Sequence, residues 1–151
     1  MKRRTFTVKF HQGSAHWVGV EIHSSQRAMR ARRSRLGKKN SRCSAFCVQN
    51  DNPSKDGCIA TIHLARNSMT LDDIAHEASH AAHHRTVLLG VPRDADEFQE
   101  WVAWDTGVLT DAILAYLDQQ RIAVRYQTVP SRKLKPRKTW RSARRNTRKG
   151  N

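Results

Sequence analysis

The chain has 151 residues, is 38% hydrophobic and carries a formal net charge of +15. This length predicts one domain with a modest core, spanning 1–129, followed by a basic tail at 130–151. A membrane protein is not expected, because no segment approaches the roughly 20 apolar residues of a membrane span. A secreted protein is not expected either, because the basic N-terminus leads into an alternating pattern rather than the apolar run of a signal peptide.

The first third of the chain predicts two strands and a helix. Apolar residues alternate from Thr5 to Phe10 and again from Val18 to Ile22, on either side of a turn-like Gln-Gly-Ser, which favours a strand pair. Ser24 or Ser25 can then cap a basic helix that ends at Gly37.

The next segment predicts two more strands around a turn. Ser44 to Val48 and Cys58 to Ala65 have the apolar and β-branched residues of strands, and the stretch DNPSKDG between them has the proline and glycine of a turn. Alternation in the second strand predicts that Ile62 and Leu64 face the core.

The chain has three cysteines, Cys43, Cys47 and Cys58. This number gives no disulfide framework and suits a reducing compartment, so a cytoplasmic location is expected. A structural zinc site made from the cysteines and His63 is disfavoured. A strand would hold Cys43 and Cys47 about 13 Å apart, whereas two thiolates on one zinc lie within about 4 Å of each other. The cysteines are instead interpreted as small buried apolar residues.

Two helices are predicted after the strands. Thr70 and Asp73 have the spacing of a capping box, and Gly90 followed by Pro92 ends the helix that they begin. A third helix is predicted from a cap at Asp94 to about residue 121, because its apolar residues recur at helical spacing. Together, the strands and helices make an α+β domain.

Two basic segments carry most of the charge. Residues 27–42 and 132–149 hold 18 of the 28 lysines and arginines and no acidic residue, so the rest of the chain is mildly acidic. Such runs bind nucleic-acid phosphates, but they can also be merely solvated or bind any polyanion. The tail is too charged and too poor in apolar residues to fold alone, so disorder is expected there. The candidate nucleic-acid contacts are Arg30, Arg33, Lys135, Arg137, Lys138, Trp140, Arg144 and Arg145, of which the tryptophan can stack on a base.

The stretch IAHEASHAAHH, residues 74–84, contains four histidines and Glu77. On a helix, His76 and His80 lie one turn apart and about 40° apart around the axis, so both imidazoles can bind one metal ion. Glu77 lies about 100° away and can reach a water on that metal as a general base, as in the HExxH motif. His83 and His84 lie further along the helix and are expected to line the cleft or to be solvated. The alternative is that His76 and His80 are ordinary surface histidines.

A catalytic zinc has three protein ligands and one open position, so a third ligand must come from elsewhere. Glu97 and Glu100 on the following helix are candidates, since a carboxylate on a largely apolar helix needs a partner. The alternative is that both are exposed acids in the first turn, where the helix dipole favours negative charge.

The segment from Ile59 to Leu117 resembles small zincin-type metallopeptidases, including ones encoded by phages and prophages, in which HExxH precedes a helix with an E-x-x-A pattern. In similar gluzincin-type enzymes the glutamate of this pattern is the third zinc ligand, which implies Glu100, with Ala103 three residues later. The chain departs from the pattern at Gln99, where an acid is common, and at Asp105, where an apolar residue is usual.

The resemblance implies a minimal zincin-like domain: a small mixed sheet packed on the HExxH helix, the ligand-bearing helix behind it, and the strand at 59–65 as the edge to which a peptide substrate pairs. It implies a zinc-dependent peptidase that holds one Zn²⁺ per chain through His76, His80 and Glu100 and uses Glu77 as the general base. The basic segments would direct it to nucleic-acid-associated targets, in the cytoplasm of a bacterial host or in a virion if the protein is phage-encoded.

Two questions stay open at this point. A second electrophile for the reaction is expected, and by residue type alone the candidates are His63, His84, Arg93 and Tyr126. The alternative function is that of a nucleic-acid-binding protein whose metal site is structural or vestigial.

Overall fold

Four strands and three helices make up the described part of the chain. The computed structural model describes residues 4–11, 14–37, 43–53 and 57–126. The α+β class predicted from the sequence is confirmed. In chain order the elements are β1 (Arg4–Lys9), β2 (Trp17–His23), α1 (Gln26–Arg35), β3 (Ala45–Gln49), β4 (Cys58–Ala65), α2 (Leu71–Leu88) and α3 (Asp96–Gln119).

The strands form one mixed sheet in the order β1-β2-β4-β3. β1 pairs antiparallel with β2, and β3 pairs antiparallel with β4, whereas β2 and β4 run parallel. Parallel neighbours need a long connection, which α1 and β3 provide here. The prediction that the strand at 59–65 is the edge is wrong, because β3 pairs with the outer side of β4 and becomes the edge itself.

The sheet separates two apolar layers. On one face, Ile62 and Leu64 of β4 belong to the main core, which includes residues of α2 and α3. On the other face, Met29 of α1 packs with Phe46 and Ala65. Six of the eight residues of β4 are buried because helices lie on both of its faces. The small mixed sheet packed on α2, with α3 against α2, corresponds to the layering expected from the sequence.

α2 begins and ends where the sequence predicts. The Asp73 N–H donates to the Thr70 hydroxyl at 3.1 Å and the Thr70 N–H donates to the Asp73 carboxylate at 2.8 Å, so the capping box is complete. The Ser44 hydroxyl donates to the same carboxylate at 2.5 Å, which ties the start of α2 to the start of β3. Gly90, with a φ of 74°, follows the end of the helix. These contacts set the direction in which the HExxH residues point.

The caps of the other two helices differ in how well the sequence predicts them. The Ser25 hydroxyl accepts a hydrogen bond from the Ala28 N–H at 3.2 Å and caps α1, as expected. The predicted cap of α3 at Asp94 is wrong. The Ala95 N–H bonds to the Pro92 carbonyl, so Asp94 lies inside a turn and Ala95 takes the capping position without a side-chain hydrogen bond.

Four predictions concern parts of the chain outside the described ranges. These are the disordered tail, the domain boundary at 129, residues 38–42 of the first basic segment, and the candidate nucleic-acid contacts Lys135, Arg137, Lys138, Trp140, Arg144 and Arg145. None of the described helices is long and apolar enough to cross a membrane.

Candidate metal centre

The helix α2 brings the two motif histidines together. His76 and His80 are exposed, and their Nε2 atoms lie 3.1 Å apart. The two rings are nearly perpendicular, at 89°, with centroids 4.7 Å apart. This is a hydrogen-bonding contact between the two rings, and it is also close to the separation of two nitrogens that bind one ion at about 2.0–2.1 Å.

Glu77 points from the same helix towards the edge strand. Its side chain is buried, and its carboxylate accepts a hydrogen bond from the backbone N–H of Cys47 in β3. Burial raises the pKa of this carboxyl, and the charge of Asp73 adds to the rise, while His76, the Cys47 hydrogen bond and Arg33 act in the opposite direction. The rise makes this carboxylate a stronger base than a solvated glutamate.

The three motif residues line one cleft at the outer edge of β3. Its volume is about 410 Å³. The backbone N–H of Cys47 points away from β4 and donates to the Glu77 carboxylate. The edge of β3 that is unpaired among the described strands therefore borders the cleft. The lining residues are Arg33, Cys43, Ala45, Phe46, Cys47, Gln49, His76, Glu77 and His80.

Arg33 reaches the cleft from α1 on the other side of the edge strand. Its Nη1 donates to Cys43 Sγ at 2.6 Å, and its guanidinium lies 5.4 Å from the centre of the Phe46 ring. Sequence reasoning assigned Arg33 to nucleic-acid binding because it sits in a run of arginines. The structure places it beside Glu77 instead, whereas Arg30 is half-buried on the same helix and does not line the cleft.

The protonation state of His80 suits a metal ligand. Desolvation lowers its pKa, and the charges of His76 and His83 lower it further. A neutral imidazole is the form that binds a metal, so no proton has to be removed from His80 at neutral pH.

The structure does not bring Glu100 to the histidine pair. Glu97 and Glu100 are both exposed in the first turns of α3. Glu100 lines a different cavity, of about 420 Å³, with Arg85, Trp104 and other residues. Within residues 4–11, 14–37, 43–53 and 57–126, no third histidine, cysteine or carboxylate ligand atom lies within 4.8 Å of both histidine nitrogens. The third ligand is therefore not identified among the described residues.

The other histidines of the stretch have separate roles. His84 is buried, and its Nε2 donates to the Asn50 carbonyl at 3.0 Å, which ties α2 to the end of β3. His83 is exposed and lies edge-on to the Phe98 ring of α3. Of the electrophiles considered from sequence, His63, His84, Arg93 and Tyr126 all lie outside the cleft lining.

A second group of metal-binding side chains lies on the α1 face of the sheet. His63 Nδ1 is 3.1 Å from His23 Nε2 and 3.1 Å from a Glu21 carboxylate oxygen, and that oxygen is 3.8 Å from His23 Nε2. These three atoms form a candidate metal-ligand group. Sequence reasoning missed Glu21 and His23. Their spacing of two places both side chains on one face of a strand, but the register that pairs Glu21 with His63 joins residues 42 positions apart.

The cysteines are free, and none of them belongs to either group. All three are half-buried, so the prediction that they are buried residues is wrong. His63 belongs to the candidate ligand group with Glu21 and His23. Burial raises the pKa of Cys47 to about 12, with a further contribution from the nearby charge of Glu77. Cys47 is therefore a neutral thiol under the cleft.

No family model, no curated protein and no solved structure matches this chain. The resemblance to zincin-type peptidases rests on the HExxH stretch and the helix after it, and it stays a prediction.

Proposed function

We propose that this protein is a zinc-dependent hydrolase of peptide bonds, with His76 and His80 as metal ligands and Glu77 as the general base. One observation carries the proposal. The two imidazole nitrogens lie 3.1 Å apart in the same cleft as a buried carboxylate with a raised pKa.

The donor set fits zinc, since neutral imidazole nitrogens are among its preferred ligands. His76 and His80 would hold the ion, and zinc bound there would supply Lewis acidity and lower the pKa of water. Two histidines leave positions for a third protein ligand and for solvent.

The protein's own groups account for proton transfer. Glu77 lies beside the histidines on the wall of the cleft, where its carboxylate can take a proton from water and pass it to the leaving amine. The Cys47 N–H holds the carboxylate in place. Burial keeps its proton affinity higher than that of a solvated glutamate, which makes it a stronger base.

Arg33 supplies positive charge in the same cleft as Glu77 and the two histidines. Charge develops on the carbonyl oxygen during attack, and a cation already in position stabilises it without reorganisation. The contacts of Arg33 with Cys43 and Phe46 hold its guanidinium near the cleft rather than in solvent.

The edge strand favours an extended peptide as the substrate. β3 pairs only with β4 among the described strands, and its other edge borders the cleft. An extended peptide that adds to this edge would lie across the histidine pair and Glu77, with main-chain hydrogen bonds supplying affinity. This assignment moves the substrate-pairing strand from β4, the strand first expected, to β3.

The test uses untagged full-length protein loaded with zinc and a quenched fluorogenic peptide library. We expect hydrolysis by the wild type and a fall of at least about 100-fold in Glu77→Gln, because the amide cannot act as a base. Elemental analysis should show the same zinc content in Glu77→Gln and less in His80→Ala. Equal rates for the wild type and Glu77→Gln would rule out the proposed role of Glu77.

The charge distribution favours nucleic-acid binding as a second candidate function. Two segments, 27–42 and 132–149, hold 18 of the 28 basic residues and no acidic ones. Binding through these segments would release counterions from phosphates. Among the described residues of 27–37, Arg33 lines the cleft and the others do not, so most of the charge is available for such binding.

A further inference from the structure

We infer that Glu21, His23 and His63 form a second metal site, which binds a divalent first-row transition metal and stabilises the sheet. This site shares no residue with the proposed hydrolytic centre. It lies between β2 and β4 on the face that α1 covers, and the HExxH cleft lies at the outer edge of β3.

The distances match those of a coordination shell. Metal–nitrogen and metal–oxygen bonds of about 2.0–2.2 Å place neighbouring ligand atoms about 3.0–3.5 Å apart in tetrahedral or octahedral geometry. The three separations here are 3.1, 3.1 and 3.8 Å. A single ion can therefore contact all three atoms after small side-chain movements.

The convergence on one nitrogen also favours a metal. Both short contacts of His63 involve Nδ1, which meets His23 Nε2 and the Glu21 carboxylate. A single N–H at Nδ1 can be directed well at only one of these acceptors. An ion at the centre would accept lone pairs from all three atoms at once.

The donor types define the class of ion. Two imidazole nitrogens with one carboxylate oxygen suit zinc, iron, manganese or cobalt in the divalent state. Calcium and magnesium prefer shells made of oxygen, so they fit this group less well.

The sheet holds the ligands in position before any ion binds. Glu21 and His63 are register partners across the parallel pair of β2 and β4, and His23 is two residues further along the same face. The Phe46 ring of β3 stacks on His63 at 4.3 Å. Arg32 Nε of α1 lies 3.9 Å from the same Glu21 oxygen, which is an ion-pair distance rather than a hydrogen bond.

Burial indicates a structural rather than a catalytic site. The exposed fractions are 5% for His23 and 1% for His63, and the Glu21 side chain is 12% exposed. Structural sites are closed, whereas catalytic sites keep a position open to substrate. Glu21 also lines a groove of about 380 Å³ on the sheet surface, so an ion can reach its carboxylate from that groove.

A metal at this site would join β2 to β4, the parallel pair at the centre of the sheet, and would hold His63 against Phe46 of the edge strand. Because the ion binds the folded chain and finds no preformed site in the unfolded one, its binding stabilises the fold.

The experiment separates this site from the cleft histidines. Untagged full-length His76→Ala/His80→Ala is loaded with Zn²⁺ or Co²⁺, freed of loosely bound ions by gel filtration and analysed for metal per chain. We expect about one ion per chain and a midpoint of thermal unfolding on the order of 5–10 °C higher than in the metal-free protein. Adding Glu21→Gln in this background should remove both the ion and the shift, while adding Asp118→Asn, an exposed carboxylate of α3, should change neither.

Loss of all metal from His76→Ala/His80→Ala with an unchanged circular dichroism spectrum would overturn the inference, as would an ion retained after Glu21→Gln. If Glu21→Gln does not fold, the metal content of the wild-type protein tests the inference. We expect two ions per chain. A single ion that is lost in His76→Ala/His80→Ala would contradict the second site. One ion that persists in His76→Ala/His80→Ala supports the buried site even if the hydrolytic centre fails.

Discussion

Arg33 differs from its neighbours in the basic run because of where α1 directs its side chain. Arg27 and Arg35 on the same helix are exposed, whereas Arg33 contacts Cys43 and Phe46 at the cleft wall. Its positive charge lowers the pKa of Glu77, and its side chain lines the same cleft. The fold therefore places a residue of the basic run in the wall of the cleft that contains His76, Glu77 and His80.

Arg33→Gln should lower kcat for peptide hydrolysis by about 100-fold, because the charge that stabilises the developing oxyanion is removed. It should also move the acidic limb of the pH profile to higher pH, since Arg33 lowers the pKa of Glu77 and its removal lets that pKa rise. Steady-state kinetics from pH 5 to 9 measure both effects. Arg27→Gln, an exposed change on the same helix, is the control, and equal kinetics for the two variants would contradict this role.

Cys47 is the second residue whose chemistry is decided by its surroundings. Because its pKa is raised from 9.0 to about 12, its thiolate fraction at pH 8 is about a thousandfold smaller than that of an unshifted thiol. We expect iodoacetamide to alkylate Cys47 orders of magnitude more slowly in the folded protein than in urea, with the rate rising steadily up to pH 10. Mass spectrometry of peptides after timed labelling measures this, and rapid labelling of Cys47 at pH 8 in the folded state would contradict its raised pKa.

At the scale of elements, the contact between α2 and α3 contains a buried ion pair. Arg85 Nη1 donates to the Asp105 carboxylate at 2.6 Å, and the two residues are 5% and 2% exposed. The Arg85 guanidinium also lies 4.7 Å from the centre of the Phe10 ring. This pair explains the acid at Asp105, where the resemblance to zincin-type peptidases leads one to expect an apolar residue.

Asp105→Ala should destabilise the protein by about 3–5 kcal/mol, because it leaves the charge of Arg85 buried without its partner. Arg85→Met/Asp105→Leu should recover most of that stability, since replacing both charges with apolar groups removes the desolvation cost. Urea unfolding followed by circular dichroism measures the free energies. Asp111→Ala, an exposed change on the same helix, is the control, and its free energy of unfolding should stay within about 0.5 kcal/mol of the wild-type value. An equally small change in Asp105→Ala would show that the ion pair contributes little to stability.

At the scale of the whole molecule, the charge is divided between a mildly acidic body and two basic segments. Such a distribution attracts polyanions over a distance comparable to the Debye length, about 8–10 Å at moderate salt. Binding of this type depends on charge rather than on base sequence, so its dependence on salt concentration identifies it.

Replacing the ten lysines and arginines of 132–149 with glutamine should weaken binding to single-stranded DNA and RNA. The slope of log affinity against log salt should fall by roughly 0.7 for each phosphate that the variant no longer neutralises. Fluorescence anisotropy between about 50 and 300 mM salt, the range in which counterion release dominates, measures the slope. A length-matched variant with the threonines and serines of the tail changed to glutamine is the control. An unchanged slope in the first variant would assign the binding to another part of the chain.

Most of the elements of this fold could be predicted from local patterns. Alternation predicted β1 and β2, the capping box at Thr70 and Asp73 predicted the start of α2, and the four-residue spacing predicted that His76 and His80 meet. Each of these depends on residues a few positions apart, where the geometry of one helix or strand is enough. The cap of α3 was mispredicted at Asp94 because a turn and a helix start have similar residues, and only their hydrogen bonds separate them.

The sequence by itself determined the class of the fold, the helix that carries the HExxH residues and the side of that helix on which both histidines lie. Only the tertiary structure decided that β3 is the edge strand beside the cleft. It also decided that Arg33 lines this cleft, whereas Glu100 lines a different cavity. The meeting of Glu21, His23 and His63 likewise depends on the tertiary structure. The physical reason is that strand order and helix packing bring together residues that are distant in the chain, and these depend on burial of the whole apolar surface rather than on any local spacing.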